Sequence, residues 1–266
     1  MRRFLLALVF CCSISTAGVL NGQDVAPAPV PTTAAGPAQT TQTSPAQRDV
    51  SWRQLPRNFL HDQEDIWLFP VELAHGHHWL PTAAVVSMTA GLLATDAQDT
   101  PYFRRTAHFQ GFNRVFSGRA TGIGTTLVPP SFYVIGLIRK DSYQQKTALL
   151  AGEAFVDAFV LSSVTKAVSR RLRPSDIAPQ GDFSDTFFRS RLTSSGFPSG
   201  HTITAFAVAT VFARRYRNHR WVPWVAYGAA GAIGFSRITL QAHFPADVFL
   251  GAALGYSISR FAVLRH

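Results

Sequence analysis

Apolar and small residues recur in runs of helical length along this chain, and no apolar–polar alternation of any length marks a strand. Thr82–Thr95 predicts an apolar helix ending at Asp96. Ala120–Ile138 is free of charge, and Pro129-Pro130 should kink or split it. Ser142–Arg171 is a long helical pattern interrupted by Glu153 and Asp157, which lie four apart on one face. A solvated stripe is the favoured reading of that pair, with a buried polar pair as the alternative. Three further helical runs follow: His201–Arg215, Val222–Phe235 and Pro245–Arg260. Asp49–Pro81 is aromatic-rich and broken by prolines, which predicts short helices. Thr100–Arg119 is polar and aromatic and should wrap the surface, and Pro174–Ser195 should be a loop. The expectation is an all-α domain, an antiparallel bundle of about six core helices.

The first 49 residues read differently. Met1-Arg2-Arg3, an apolar stretch to Ile14 and the small residues Ser15-Thr16-Ala17 form the pattern of a signal peptide over 1–22. Ala26–Gln47 contains only Ala, Pro, Val, Thr, Gly, Gln and Ser, so 23–49 should be a disordered linker to a domain over 50–266. Both cysteines, Cys11 and Cys12, lie in the leader, so disulfides and thiol chemistry are not expected in the exported chain.

Net charge is +10, and lysine occurs only at Lys140, Lys146 and Lys166, so arginine carries nearly all of it. That balance suits phosphate or anionic lipid. The arginines are scattered and form no nucleic-acid motif, so no nucleic-acid partner is expected. His75-Gly76-His77-His78 has no second ligand cluster at a recognisable spacing and reads as a polar loop, so no metal site is expected.

Helix order predicts where the chemistry gathers. Short connections make neighbouring helices antiparallel, so Lys166–Pro174, Pro198–His201 and Arg237–Asp247 should meet at one end of the bundle. Lys166 and Arg173 are seven apart and would share a helix face, with Pro174 ending that helix. Ser199 is a good N-cap, Gly200 allows close approach, and His201 sits in the first turn of a helix whose free N–H groups attract anions. His243 precedes Pro245 at a helix start, and Asp247, four residues on, can reach a His243 ring nitrogen and leave the other free to attack. Three cations in one place call for an anion, and a tetrahedral oxyanion fits.

These three segments, Lys166-x6-Arg173-Pro174, Pro198-Ser199-Gly200-His201 and Ser236-Arg237-x5-His243-x3-Asp247, resemble the three-part signature of the type 2 phosphatidic acid phosphatase (PAP2) and vanadium haloperoxidase superfamily. The match spans residues 148–260 with no departure at a signature position. The resemblance implies a phosphatase for phosphate monoesters, lipid or isoprenoid phosphates favoured, that needs no metal or other cofactor. It implies His243 as nucleophile through a phospho-histidine, Asp247 as its orienting carboxylate and His201 as general acid and base. It implies that Lys166, Arg173, Arg237, Ser199 and Gly200 hold the phosphate. A vanadate-dependent haloperoxidase, a phosphotransferase and a non-catalytic phospholipid-binding bundle remain as alternatives. Arg170 and Arg171 flank the signature, where a head-group contact and a solvated helix end weigh about equally.

Family members are either six-span membrane proteins or soluble exported enzymes. Among the charge-free runs only Ala120–Ile138 approaches the roughly 20 residues of a span. The balance favours an exported, periplasm-facing domain over an integral one, with association at an anionic membrane surface fitting either.

Overall fold

Long helices with almost no polar break between their ends leave the chain one way to bury apolar surface, which is to pack helix against helix. The computed structural model describes residues 50–178, 181–191 and 194–265. The signal peptide and linker expected over 1–49 lie outside the described residues. Eight α-helices and no strand occur among those described, as an all-α fold requires. They are α1 (Leu55–Ala74), α2 (Trp79–Arg105), α3 (Gln110–Val115), α4 (Gly118–Ile138), α5 (Ser142–Ser169), α6 (Gly200–Arg215), α7 (Trp221–Thr239) and α8 (Pro245–Ser257). A 3₁₀ turn covers Pro174–Asp176, and a π-helical turn, Ile258–Val263, prolongs α8.

The bundle is built around α6. It packs against α5, α7 and α8, while α4 and α1 lie on α5 and α2 lies on α8. Its central position follows from its sequence. Ile203, Ala205, Ala207, Val208, Ala209, Val211 and Ala213 are buried around its circumference, and a helix apolar on every side belongs inside. The α6–α8 seam is very close. A Cβ on Gly255 would lie 2.2 Å from the Ile203 carbonyl, and one on Gly251 would lie 3.0 Å from the Ser199 carbonyl. Glycines four apart let two helix backbones touch.

Several expectations need correcting. Val50–Pro81 gives one 20-residue helix, α1, with Pro70 inside it, and the start of α2. α2 does not end at Asp96 but runs on to Arg105, and the segment expected to wrap the surface supplies the end of α2, all of α3 and the start of α4. α4 passes through Pro129-Pro130 without a break. Two prolines remove two donors, which a helix held by its neighbours tolerates. Glu153 and Asp157 are no solvated stripe. They are 4% and 0% exposed, and Asp157 accepts from Gln63 of α1 at 2.8 Å. α5 ends at Ser169, where Arg170 turns into the left-handed region at φ 43°, so Arg173 caps the following 3₁₀ turn and is not on the helix face of Lys166.

Four helical segments are long and apolar enough to cross a membrane: Trp79–Arg105, Gly118–Ile138, Ser142–Asp176 and Pro245–Val263. The expectation of a single near-span therefore fails. Its flaw was to count charge-free runs, although a span accommodates an acid that faces the bundle interior, as Asp96, Glu153 and Asp157 do here. Leu80, Val86, Ile123, Leu127, Ile138 and Phe159 stand exposed along these helices.

Candidate active site

The three signature segments converge at one end of the bundle, tied by hydrogen bonds from segment to segment. Ser169 Oγ at the end of α5 donates to the Phe197 carbonyl at 2.7 Å, and the Gly196 N–H donates to the Arg171 carbonyl at 2.7 Å. The Ser199 N–H donates to the Asp247 carbonyl at 3.0 Å, joining the starts of α6 and α8. The Phe197–Pro198 peptide between them is cis.

His243 lies in the connection between α7 and α8 and is only 4% exposed. Its Nδ1 is 2.6 Å from the Gly196 carbonyl oxygen, so Nδ1 carries the proton and donates there. Asp247 does not make the direct hydrogen bond expected from the four-residue spacing. Its Oδ2 is 3.7 Å from Nδ1 and accepts instead from the Phe244 N–H at 2.8 Å. The carboxylate caps α8 and lies beside the imidazole as a charge. The consequence for the ring is the expected one: with Nδ1 held as donor, Nε2 is the nitrogen with a free lone pair. Burial lowers the His243 pKa below the ordinary histidine value; Asp247 opposes that shift, and Lys166 and Arg173 add to it. The ring is thus neutral at neutral pH, as a nucleophile must be.

His201, in the first turn of α6, is half-buried, with Nε2 3.0 Å from the Gly118 carbonyl at the start of α4. Arg237, at the end of α7, is 2% exposed and bonds the Phe116 carbonyl at 2.5 Å and Ser236 Oγ at 2.8 Å through Nη2. Lys166 Nζ lies over the start of α6, 3.1 Å from where a Cβ on Gly200 would be, so glycine keeps that space open. Arg173 Nε is buried without a hydrogen-bond partner. Ser199 is fully buried and its Oγ accepts from Thr202 Oγ1 at 2.8 Å, which leaves its own hydroxyl proton to donate. It caps α6 by backbone geometry with no side-chain bond to the helix. Among the described residues no carboxylate forms an ion pair with Lys166, Arg173 or Arg237. Three cations and the open start of α6 therefore face a space flanked by two imidazoles, an arrangement suited to an oxyanion.

Sequence reasoning missed two contributors. The start of α4 supplies the carbonyls of Phe116 and Gly118 that hold Arg237 and His201. Asp96 of α2, 1% exposed, receives Arg171 Nη2 at 2.8 Å and the Ala246 N–H at 3.2 Å. A lone acid inside an otherwise apolar stretch was the available signal. Arg171 itself is neither a head-group contact nor a solvated helix end: it is 2% exposed and bonds Asp247 Oδ1 through Nη1 at 2.6 Å. Arg170 is exposed, with Nε on the Ser190 carbonyl. Among the described residues, no three His, Cys, Asp or Glu side chains are grouped as a metal site would need.

Beside this site an apolar groove of about 730 Å³ runs along α6 between α4 and α7. Phe116, Ala120 and Ile233 line its upper end, and Tyr216, His219 and Trp221 its lower end.

Residues 146–266 match the model of the PAP2 superfamily. The chain is 34% identical over 97 residues to a lipid A 1-phosphatase of Rhizobium etli, a match covering 36% of this chain and 40% of the relative. It is 31% identical over 100 residues to a lipid A 4'-phosphatase of Porphyromonas gingivalis, covering 38% of this chain and 42% of the relative. The chain thus spans about two fifths of the length of these relatives. Among solved structures it is similar to a transmembrane PAP2-type phosphatidylglycerolphosphate phosphatase from Bacillus subtilis, at 25% identity and a TM-score of 0.44, covering 76% of this chain and 94% of that one.

Proposed function

We propose that this chain is a membrane-embedded phosphatase of the PAP2 type that removes phosphate from a lipid phosphate ester, a reading supported by the match of residues 146–266 to the PAP2 superfamily model. The observation that carries the proposal is the set of three cations without carboxylate partners, Lys166, Arg173 and Arg237, gathered around His201 and His243. Burying that charge is costly unless an anion shares the space. The matched relatives are lipid A phosphatases, which supports a lipid phosphate as substrate. The groove beside the site supports it too, since its walls suit an acyl or isoprenoid chain.

In this reading the phosphate sits at the start of α6, its oxygens held by the three cations, the Ser199 hydroxyl and the Gly200 N–H. Burial, with Arg237, lowers the His201 pKa to about 4, and a phosphate dianion bound beside the ring offsets both and lets it take up a proton. Nε2 of His243 then attacks phosphorus while the bond to the lipid oxygen breaks, and His201 delivers that proton to the oxygen. The product is a phospho-histidine with a cationic ring, whose charge the nearby Asp247 carboxylate offsets. Water then attacks phosphorus, His201 takes its proton, the N–P bond breaks, and phosphate leaves with His243 neutral again. The leader expected at the N-terminus supports a site facing out of the cytoplasm.

The test is phosphate release by detergent-solubilised protein from a long-chain lipid phosphate and from a short, water-soluble ester. Release is expected from both, faster from the lipid. No release from any ester would overturn the proposal.

A further inference from the structure

We propose that Asp96 and Arg171 act together as positioning residues, an ion-paired strut that fixes Asp247 and, through it, His243. The inference rests on the phosphatase reading above and adds two residues that touch neither phosphate nor leaving group.

Arg171 is enclosed on every side. Nη1 donates to Asp247 Oδ1 at 2.6 Å, Nη2 to Asp96 Oδ2 at 2.8 Å, and Nε to Thr186 Oγ1 at 3.0 Å. Its guanidinium carbon lies 4.2 Å from the centre of the Phe244 ring and 4.8 Å from that of Phe187. Its own N–H donates to Ser195 Oγ at 3.0 Å. A planar fork bonded along both edges and stacked against two rings has one orientation only.

The strut ends on the catalytic pair. Both Asp247 oxygens are committed, Oδ1 to Arg171 and Oδ2 to the Phe244 N–H. The carboxylate therefore cannot turn, and its Oδ2 stays 3.7 Å from His243 Nδ1. Asp96 does two things. It holds the far side of the Arg171 fork, and its Oδ1 receives the N–H of Ala246, next to Asp247 in the first turn of α8. α2 is thereby clamped to the start of α8 at the residue that must not move.

Charge balance gives the pair a second role. Asp96 and Asp247 share one guanidinium, leaving one net negative charge beside His243. A phosphorylated His243 ring is a cation, so this charge is matched to the intermediate more than to the resting site. The other charged or titratable groups facing His243 are Lys166 from α5, Arg173 from the 3₁₀ turn and His201 from α6.

The experiment measures kcat, KM and the acid limb of the kcat/KM–pH profile on a short-chain phosphate ester. It compares wild type, His243→Ala, Arg171→Lys, Arg171→Gln, Asp96→Asn and Arg170→Lys. Arg171→Lys keeps the charge and loses the fork, so kcat should fall about 10²-fold with KM nearly unchanged, the cost of a misplaced reacting group. Arg171→Gln removes a cation near His243, which then binds a proton more readily, so the acid limb should move to higher pH. Asp96→Asn removes an anion, so the limb should move to lower pH. Arg170→Lys, at the exposed neighbour, should behave as wild type. A purely structural role would reduce the amount of active protein without moving the limb in opposite directions. If Arg171→Gln does not fold, Arg171→Lys and Asp96→Asn decide the matter alone. Wild-type release with unchanged kcat and limb in those two overturns this inference and leaves the phosphatase reading standing. No release by the wild type overturns the phosphatase reading instead.

Discussion

α6 has two unlike neighbours. Toward α8 the helices touch backbone to backbone. A side chain on Gly255 would strike the Ile203 carbonyl, and one on Gly251 would press on the Ser199 carbonyl. Toward α4 and α7 the same helix faces an open groove, where Gly124 has nothing within 4 Å of a built Cβ. The tight seam lies under the site and sets where the starts of α6 and α8 place His201, Ser199 and Asp247. The loose flank begins beside the site, at Phe116 and Ala120, and continues about 16 Å down α6 to Tyr216 at 1.5 Å per residue. In the proposed function the contrast separates two tasks. Phosphate chemistry needs fixed groups, and binding a flexible chain needs room.

The sharpest break falls at the fixed end. His243→Ala removes the proposed nucleophile without touching the seam, so phosphate release should drop on the order of 10³-fold or more for lipid and soluble esters alike. The check is release on both substrates by a variant that remains folded at the assay temperature. Activity that persists would move the nucleophile elsewhere.

Next in size is the seam itself. Gly255→Ala places a methyl 2.2 Å from a backbone oxygen, so α8 must move away from α6. Overpacking of this kind costs about 1–3 kcal/mol. A lower thermal midpoint is expected, together with lower kcat, because Asp247 travels with α8. Gly228→Ala on the exposed flank should leave both unchanged or raise stability slightly.

A smaller effect belongs to the groove. Gly124→Trp fills its upper part without a backbone clash. Displacing two methylenes of a bound chain costs about 1.6 kcal/mol, about tenfold in affinity. KM for a long-chain lipid phosphate should rise by that factor, and KM for a short soluble ester should change far less. An equal rise for both would mean the groove holds no chain.

Much of the fixed end was legible because its residues sit at short, regular spacings on elements whose order forces them together. Lys166, Ser199, Arg237 and Asp247 lie at four helix ends, and antiparallel packing brings those ends to one side whatever the details. Asp96 and Gly118 were not legible in the same way. Each reaches the site from an element far away in sequence, and a single residue carries no spacing. The role of Arg171 turned on a left-handed residue at Arg170 that ends α5 early and sends the next side chain inward, a backbone choice that helical periodicity does not report. The groove was hidden for another reason: it is a gap between α4 and α7, and apolar runs show which residues are greasy but not which helices stay apart.

The smallest predicted effect tests how dry the fixed end is. Burial holds the His243 pKa below its ordinary value, so the folded chain keeps this ring neutral where the unfolded chain would protonate it, near pH 6.5. Unfolding then takes up a proton at acid pH. The contribution of the neutral ring to stability is complete above about pH 6.5 and declines as pH falls toward the lowered folded value. The thermal midpoint should therefore be lower at pH 5 than at pH 7. His243→Asn, which has nothing to titrate, should show a smaller drop. Because Lys166 and Arg173 work in the same direction as burial, bound inorganic phosphate should narrow the wild-type difference and leave the variant almost unaffected. A midpoint that rises on acidification, or one that the variant does not alter, would mean that His243 is more hydrated than its place behind Gly196 and Asp247 implies.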